Sequence, residues 1–185
     1  MTHRLDESIT ARRRSTCQRN GSTSFHFYLT IFQAVLLRVW NAEDISIEIA
    51  DSNRNEERLM DCIEPLLNLP PLRFHTTKHQ TFSEALRATR SEVLSTLAHG
   101  SVPFHTLFNS LHVPQSAEHS PLLQAFVDYR QAEGQRKASG KCEMTPLQFE
   151  LGKAAYDISL DIVNKVNFCC TRVPCLPDLG FCKER

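Results

Sequence analysis

Within residues 25–51, FHFYLTIFQAVLLRVWNAEDISIEIAD, the spacing of apolar residues changes from three and four to two. Phe25, Leu29, Phe32, Leu36 and Val39 fall on one helical face, and Ser22, Thr23 and Ser24 offer N-cap oxygens before it. That helix is apolar nearly all round, so burial is expected. Ile45, Ile47 and Ile49 then alternate with polar residues, the pattern of a half-buried strand. A buried helix running directly into a strand restricts the chain to layered folds in which helices cover a sheet.

The segments that follow extend this pattern. NRNEERLMDCIEPL reads as a short helix with Glu56 and Glu57 near its positive end. In LLNLPPLRF, Pro70 and Pro71 exclude a helix and place the segment at a sheet edge or a bulge. Residues 81–100 form the clearest helix: Thr81 and Glu84 have capping-box spacing, and Phe82, Leu86, Val93 and Leu97 share a face. Gly100 is placed to end that helix in the left-handed conformation. Pro103 opens another helix through FHTLFNSL, and the turn-rich HVPQSAEHSP leads to the strand LLQAFVDYR. RQAEGQRKASGK reads as a polar loop, and LQFELG and YDISLDIV as the final strands. The predicted class is α/β or α+β, a mixed sheet packed by helices. Residues 1–23 read as a flexible lead-in, with Arg12, Arg13 and Arg14 as a solvated basic cluster.

At 185 residues the chain has the size of one domain. Lys plus Arg equals Asp plus Glu at 21 each, so no global field draws it to nucleic acid or an anionic membrane. No run is long and apolar enough to span a bilayer, and MTHRLDESITARRR has no apolar signal region, so the expected compartment is the cytoplasm. Seven cysteines without repeated spacing fit reduced thiols. Cys169, Cys170, Cys175 and Cys182 lack the paired spacing of a zinc site, so no metal is expected. The sequence contains no GxxxxGK[ST], GxGxxG, HExxH or GxSxG. His99 falls at a helix C-terminus, where the dipole alone favours it.

Three ordered segments carry a family resemblance. IEPLLNLPPLR, 63–73, resembles the Ile-Gly-x-Phe-Val-Asn-Thr-Leu-x-x-Arg motif of condensation domains of nonribosomal peptide synthetases, with Ile63, Asn68 and Arg73 in place. HGSVPFHTLF, 99–108, is similar to the family's His-Gln-Asp-x-Pro-Phe-Glu motif through His99, Pro103 and Phe104. SAEHSPLLQAFVDYR, 116–130, resembles the Ser-Arg-Asn-Pro-Leu-Phe-Gln segment, retaining Pro121, Leu122 and Gln124. The similarity is greatest to the domains of fungal hybrid polyketide synthase/peptide synthetases.

The resemblance implies a chloramphenicol-acetyltransferase-like lobe, the C-terminal one of two, over residues 24–164. Residues 165–185 are then a divergent Cys-rich tail. The family's catalytic His-His-x-x-x-Asp-Gly belongs to the other lobe, and this sequence has no His-His. Expected from this are a truncated domain without catalysis of its own, no directly bound cofactor, and a carrier protein's phosphopantetheine arm as substrate carrier. The implied partners are that carrier and the missing N-terminal lobe, with self-association through the face that lobe would cover. Asn68 and Arg73 either line the family's channel or serve locally, Asn68 satisfying backbone groups and Arg73 ending a strand. His99, Pro103, Phe104, Pro121 and Gln124 are expected to be structural.

Overall fold

The computed structural model describes residues 2–54, 57–64, 66–75, 81–111, 123, 125–131, 138–139, 142–143, 156–164 and 169–172. In chain order the elements are β1 (Thr2–Arg4), α1 (Glu7–Arg19), α2 (Ser24–Val39), β2 (Asp44–Ile49), α3 (Glu57–Met60) and β3 (Pro71–His75). They continue with α4 (Phe82–Ala98), α5 (Phe104–Ser110), β4 (Ala125–Gln131), β5 (Ala138–Ser139), β6 (Cys142–Glu143), β7 (Ile158–Asn164) and β8 (Cys169–Arg172). A six-stranded sheet has the order β1-β8-β7-β4-β2-β3, and β5 and β6 form a separate ladder. Its centre, β2, β4 and β7, is parallel, while β3 and β8 flank it antiparallel. The predicted mixed α/β architecture is therefore present.

Ile45, Ile47 and Ile49 are buried, together with Leu72 and Phe74 of β3, Val127 of β4 and Leu160 and Ile162 of β7. Against them pack Leu29, Phe32 and Leu36 of α2 and Val93 of α4. The period-two alternation thus gives the core one face of the sheet and the other face polar residues. Both long helices begin where their sequences dictate. Thr23 caps α2, with His26 reciprocating, and Thr81 caps α4, with Glu84 reciprocating. Between the helices Thr89 Oγ1 accepts from Gln33 Nε2 at 2.6 Å and from Thr30 Oγ1 at 3.0 Å, satisfying buried polar groups without water. Pro71 begins β3, which lies at the sheet edge, where the missing N–H costs no ladder bond.

Several expectations are corrected. The lead-in expected over residues 1–23 carries secondary structure in its described part: β1 pairs with β8, and α1 is capped by Asp6, whose side chain accepts from the Ile9 N–H at 2.8 Å. The helix ends at Gly21, φ 60°, with the Ser22 N–H on the Cys17 carbonyl and the Gly21 N–H on that of Gln18. Arg13 of the supposed solvated cluster is buried. The sheet also extends beyond Asn164, since β8 pairs with β7. Helix α2 is not buried all round, for Ile31, Val35 and Val39 face outward. Gly100 does not take a positive φ; α4 ends at His99, and a Cβ at Gly100 would meet the Leu97 carbonyl oxygen at 3.1 Å. LQFELG, and most of the polar loop, lie outside the described residues. No described helix is long and apolar enough to cross a membrane.

Candidate functional site

The first two resemblance motifs meet at Asn68. Its side chain, 8% exposed, spends both amide protons on the turn between α4 and α5, donating to the carbonyls of Gly100 at 2.8 Å and Val102 at 2.9 Å. Its Oδ1 accepts from the Phe104 N–H at 3.1 Å. The Asn68 main chain is bridged to Asp51 in both directions, at 3.0 and 2.9 Å. One residue therefore ties the chain just after β2, through its main chain, to the start of α5, through its side chain. A short amide is suited to this, since it offers two donors and an acceptor at one reach.

Around this clamp lies a recess of about 320 Å³, whose walls include Asn68, Pro70, Pro71, His99, Val102 and Phe104. His99 caps α4, and its Nδ1–H donates to the Ser95 carbonyl at 2.9 Å. Pro103 stands at the N-cap position of α5, and the Phe104 ring lies 6.2 Å from that of Phe108. Met60, Ile63 and Leu67, on the segment leading to Asn68, and Val102 in the recess wall are exposed large apolar side chains.

Arg73 is not part of this constellation. It sits on edge strand β3 and holds Asp44 through two nitrogens, Nε at 3.0 and 3.1 Å and Nη2 at 2.6 Å. His75 Nδ1 lies 3.5 Å from the same carboxylate. The Arg73 hydrogen bonds, helped by the charges of Arg73 and His75, hold the Asp44 carboxyl below its ordinary value. Pro121 and Gln124 lie outside the described residues, although Leu123 between them is buried.

A second polar group escaped the sequence reading. Glu48, on the sheet face opposite the core, is 3% exposed. The Tyr156 hydroxyl donates to its Oε2, and the Tyr156 ring stacks on Phe126 at 4.8 Å. Oε1 is buried with no partner. Burial raises the Glu48 pKa, against the lowering effect of the tyrosine bond, and burial likewise raises that of Tyr156. Asp128 on the same face is also raised by burial, with Asp161 adding to it. Only the pairing of β2 with a residue 108 positions away brings this group together. Among the described residues no cluster of His, Cys, Asp or Glu could hold a metal ion.

A helix-backed mixed sheet whose first two motifs meet at one clamped turn has the architecture of an acetyltransferase-like lobe. The condensation-domain family model matches residues 1–171, and the chain belongs to that family. It is 41% identical over 161 residues to the hybrid PKS-NRPS synthetase traA of Penicillium crustosum, covering 87% of this chain and 4% of that protein. It is 40% identical over 162 residues to the polyketide synthase-nonribosomal peptide synthetase phmA of Phaeosphaeria nodorum, covering 86% of this chain and again 4% of the relative. Among solved structures, the condensation domain of the monacolin K polyketide synthase MokA superposes with a TM-score of 0.87 and 28% identity, covering 97% of this chain and 42% of that one. The four-domain nonribosomal peptide synthetase AB3403 shares the fold, with a TM-score of 0.82 and 15% identity over 94% of this chain and 14% of that one. The chain thus spans a small fraction of its curated relatives and less than half of a solved condensation domain. The match through residue 171 also carries the family pattern past Asn164, where the sequence alone placed its end.

Proposed function

We propose that this chain is the C-terminal lobe of a condensation domain in fungal secondary-metabolite biosynthesis, and that it forms no amide by itself. The observation that carries the reading is its coverage: nearly the whole chain superposes on 42% of the MokA condensation domain. The sequence also contains no His-His dipeptide from which a His-His-x-x-x-Asp-Gly motif could be built. The reaction joins an amine on one carrier to a thioester on another, and it needs an imidazole beside the developing charge. On this reading a second lobe supplies that imidazole. The exposed Met60, Ile63, Leu67 and Val102 support a covered face in the complete domain. Without that cover the chain self-associates.

In this arrangement Asn68 acts as a positioning residue, shaping the turn and recess that border the channel, and His99, Pro103 and Phe104 give the turn its form. Arg73 contributes through its pair with Asp44 at the sheet edge rather than by touching substrate. The phosphopantetheine arm enters as a carrier-borne substrate, and the partners are that carrier and the other lobe, in the cytoplasm. Titration of the full chain with a phosphopantetheinylated aminoacyl carrier protein tests the reading. A chain that acts only within a two-lobed domain shows no turnover alone. Tight binding without any need for the other lobe would favour a carrier-docking module instead.

A further inference from the structure

Arg54 follows a turn in which Asn53 takes a positive φ of 52° and its N–H donates to Asp51 Oδ1 at 3.2 Å. From there the Arg54 guanidinium reaches three main-chain carbonyls of the segment ahead. Nη1 donates to Leu59 at 2.6 Å and to Cys62 at 2.8 Å, and Nη2 donates to Glu64 at 2.9 Å. A planar fork of five donors suits several acceptors held in fixed directions. Two of these carbonyls, those of Cys62 and Glu64, stand on either side of Ile63.

The segment so held is weakly fixed by its own secondary structure. Helix α3 is a single turn with no buried residue, too short to persist by itself. Main-chain bonds between Asp51 and Asn68 close the base of the excursion, and Arg54 holds its middle. Ile63 is 101% exposed, and Met60 and Leu67 are exposed with it. A lone exposed isoleucine calls for no account. One whose flanking carbonyls are both taken by the same guanidinium is different, because the order imposed on its backbone gives its side chain no contact within this chain. Such ordering lowers the conformational cost of a contact made with something else.

We propose that Ile63 is an anchor for the second lobe of the condensation domain, and that Arg54 is the positioning residue that preorganises it. The inference rests on the two-lobe reading above. Nearly the whole chain superposes on 42% of the MokA domain, so more than half of such a domain lies outside this chain and is available to cover the side chain. The surface that fits is an apolar pocket for a branched side chain, since Ile63 brings no polar group to the contact. The Asp51–Asn68 bridge at the base of the excursion joins this anchor to the clamped turn, so both belong to one border of the lobe.

The test is calorimetric titration of the full chain with the separately produced N-terminal lobe of a homologous domain. Ile63→Ser is expected to weaken binding about tenfold, the scale of one apolar anchor lost. Arg54→Gln is expected to weaken it by about the same factor. Because the two act through one contact, the double variant loses about tenfold rather than the roughly hundredfold of independent sites. Should Arg54→Gln fail to fold, Arg54→Lys, which keeps the charge without the fork, is read in its place. Wild-type binding that either single variant leaves unchanged, or losses that multiply in the double variant, overturns the proposal and leaves the two-lobe reading standing. Absence of wild-type binding overturns both. Self-association lost in Ile63→Ser with lobe binding intact would give the anchor to a second copy of this chain and overturn the proposal.

Discussion

Asn68 satisfies two carbonyls and one amide of a turn that has no secondary structure of its own, so its removal strands one buried and two part-buried groups. Asn68→Ala is expected to lower stability by about 2–3 kcal/mol in urea denaturation, since each unsatisfied buried group costs about 1–3 kcal/mol and water recovers part. Asn68→Asp has the same shape but turns an acceptor toward the Gly100 and Val102 carbonyls. It should therefore cost at least as much at neutral pH, with the deficit easing as the carboxyl protonates. An unchanged urea midpoint in both variants would remove Asn68 from the role given to it. His26 provides a pH dependence. Burial, with the Arg90 charge adding to it, holds its imidazole below the ordinary 6.5, and the neutral ring accepts the Thr23 N–H at Nδ1. Below pH 6.5 the unfolded chain takes up a proton that the folded chain refuses, so the stabilisation is complete above 6.5 and is lost as pH falls through the lower folded value. Melting temperatures measured from about pH 8 to about pH 5 should fall more steeply for the wild type than for His26→Gln. Parallel curves would contradict it. The sequence identified Asn68 as a residue to examine, because the motif carries it, but Glu48 was invisible. Alternation assigned Glu48 to solvent, whereas a tyrosine just ahead of β7, two strands away in the sheet, donates to it.

Helices α2 and α4 were legible because their signals are local: an apolar stripe begins at a Thr cap, and the reciprocating side chain stands three residues on. Strand β2 was legible for the same reason, and β3 because two prolines tolerate only an edge. Helix α1 was missed because its composition is polar and carries no stripe, so the weight of Arg, Ser and Thr suggested a tail. Its end signals were nevertheless present, Asp6 at the cap and Gly21 at the stop. Nothing local predicts that β1 pairs with β8, since that register depends on residues about the whole chain apart. The packing of α2 on α4 turns on Thr89, which is fully buried and accepts from Gln33 and Thr30 while donating to the Ala85 carbonyl at 2.9 Å. Thr89→Val keeps the volume and removes the hydroxyl, so it should cost about 1–3 kcal/mol by leaving the Gln33 amide unpaired. Thr89→Ser, which keeps the hydroxyl, should cost less. Equal urea midpoints for the two variants would show that the polar link does not hold the helices together.

At the scale of the molecule, the described residues carry a clamped turn, a recess and exposed apolar side chains, and the sequence contains no His-His pair at which an amine could attack a thioester. These features fit half of a working site. The central claim is that chemistry appears only when a lobe bearing His-His-x-x-x-Asp-Gly is added. The direct measurement is intact-protein mass spectrometry of a carrier-bound acyl donor and a carrier-bound aminoacyl acceptor. Each is incubated with this chain, with the separately produced N-terminal lobe of a homologous domain, and with both. The account predicts the joined amide on the acceptor carrier only when both lobes are present, and its loss when the second His of the added lobe is replaced by Ala. Amide formed by this chain alone, or by both lobes without that His, would contradict it.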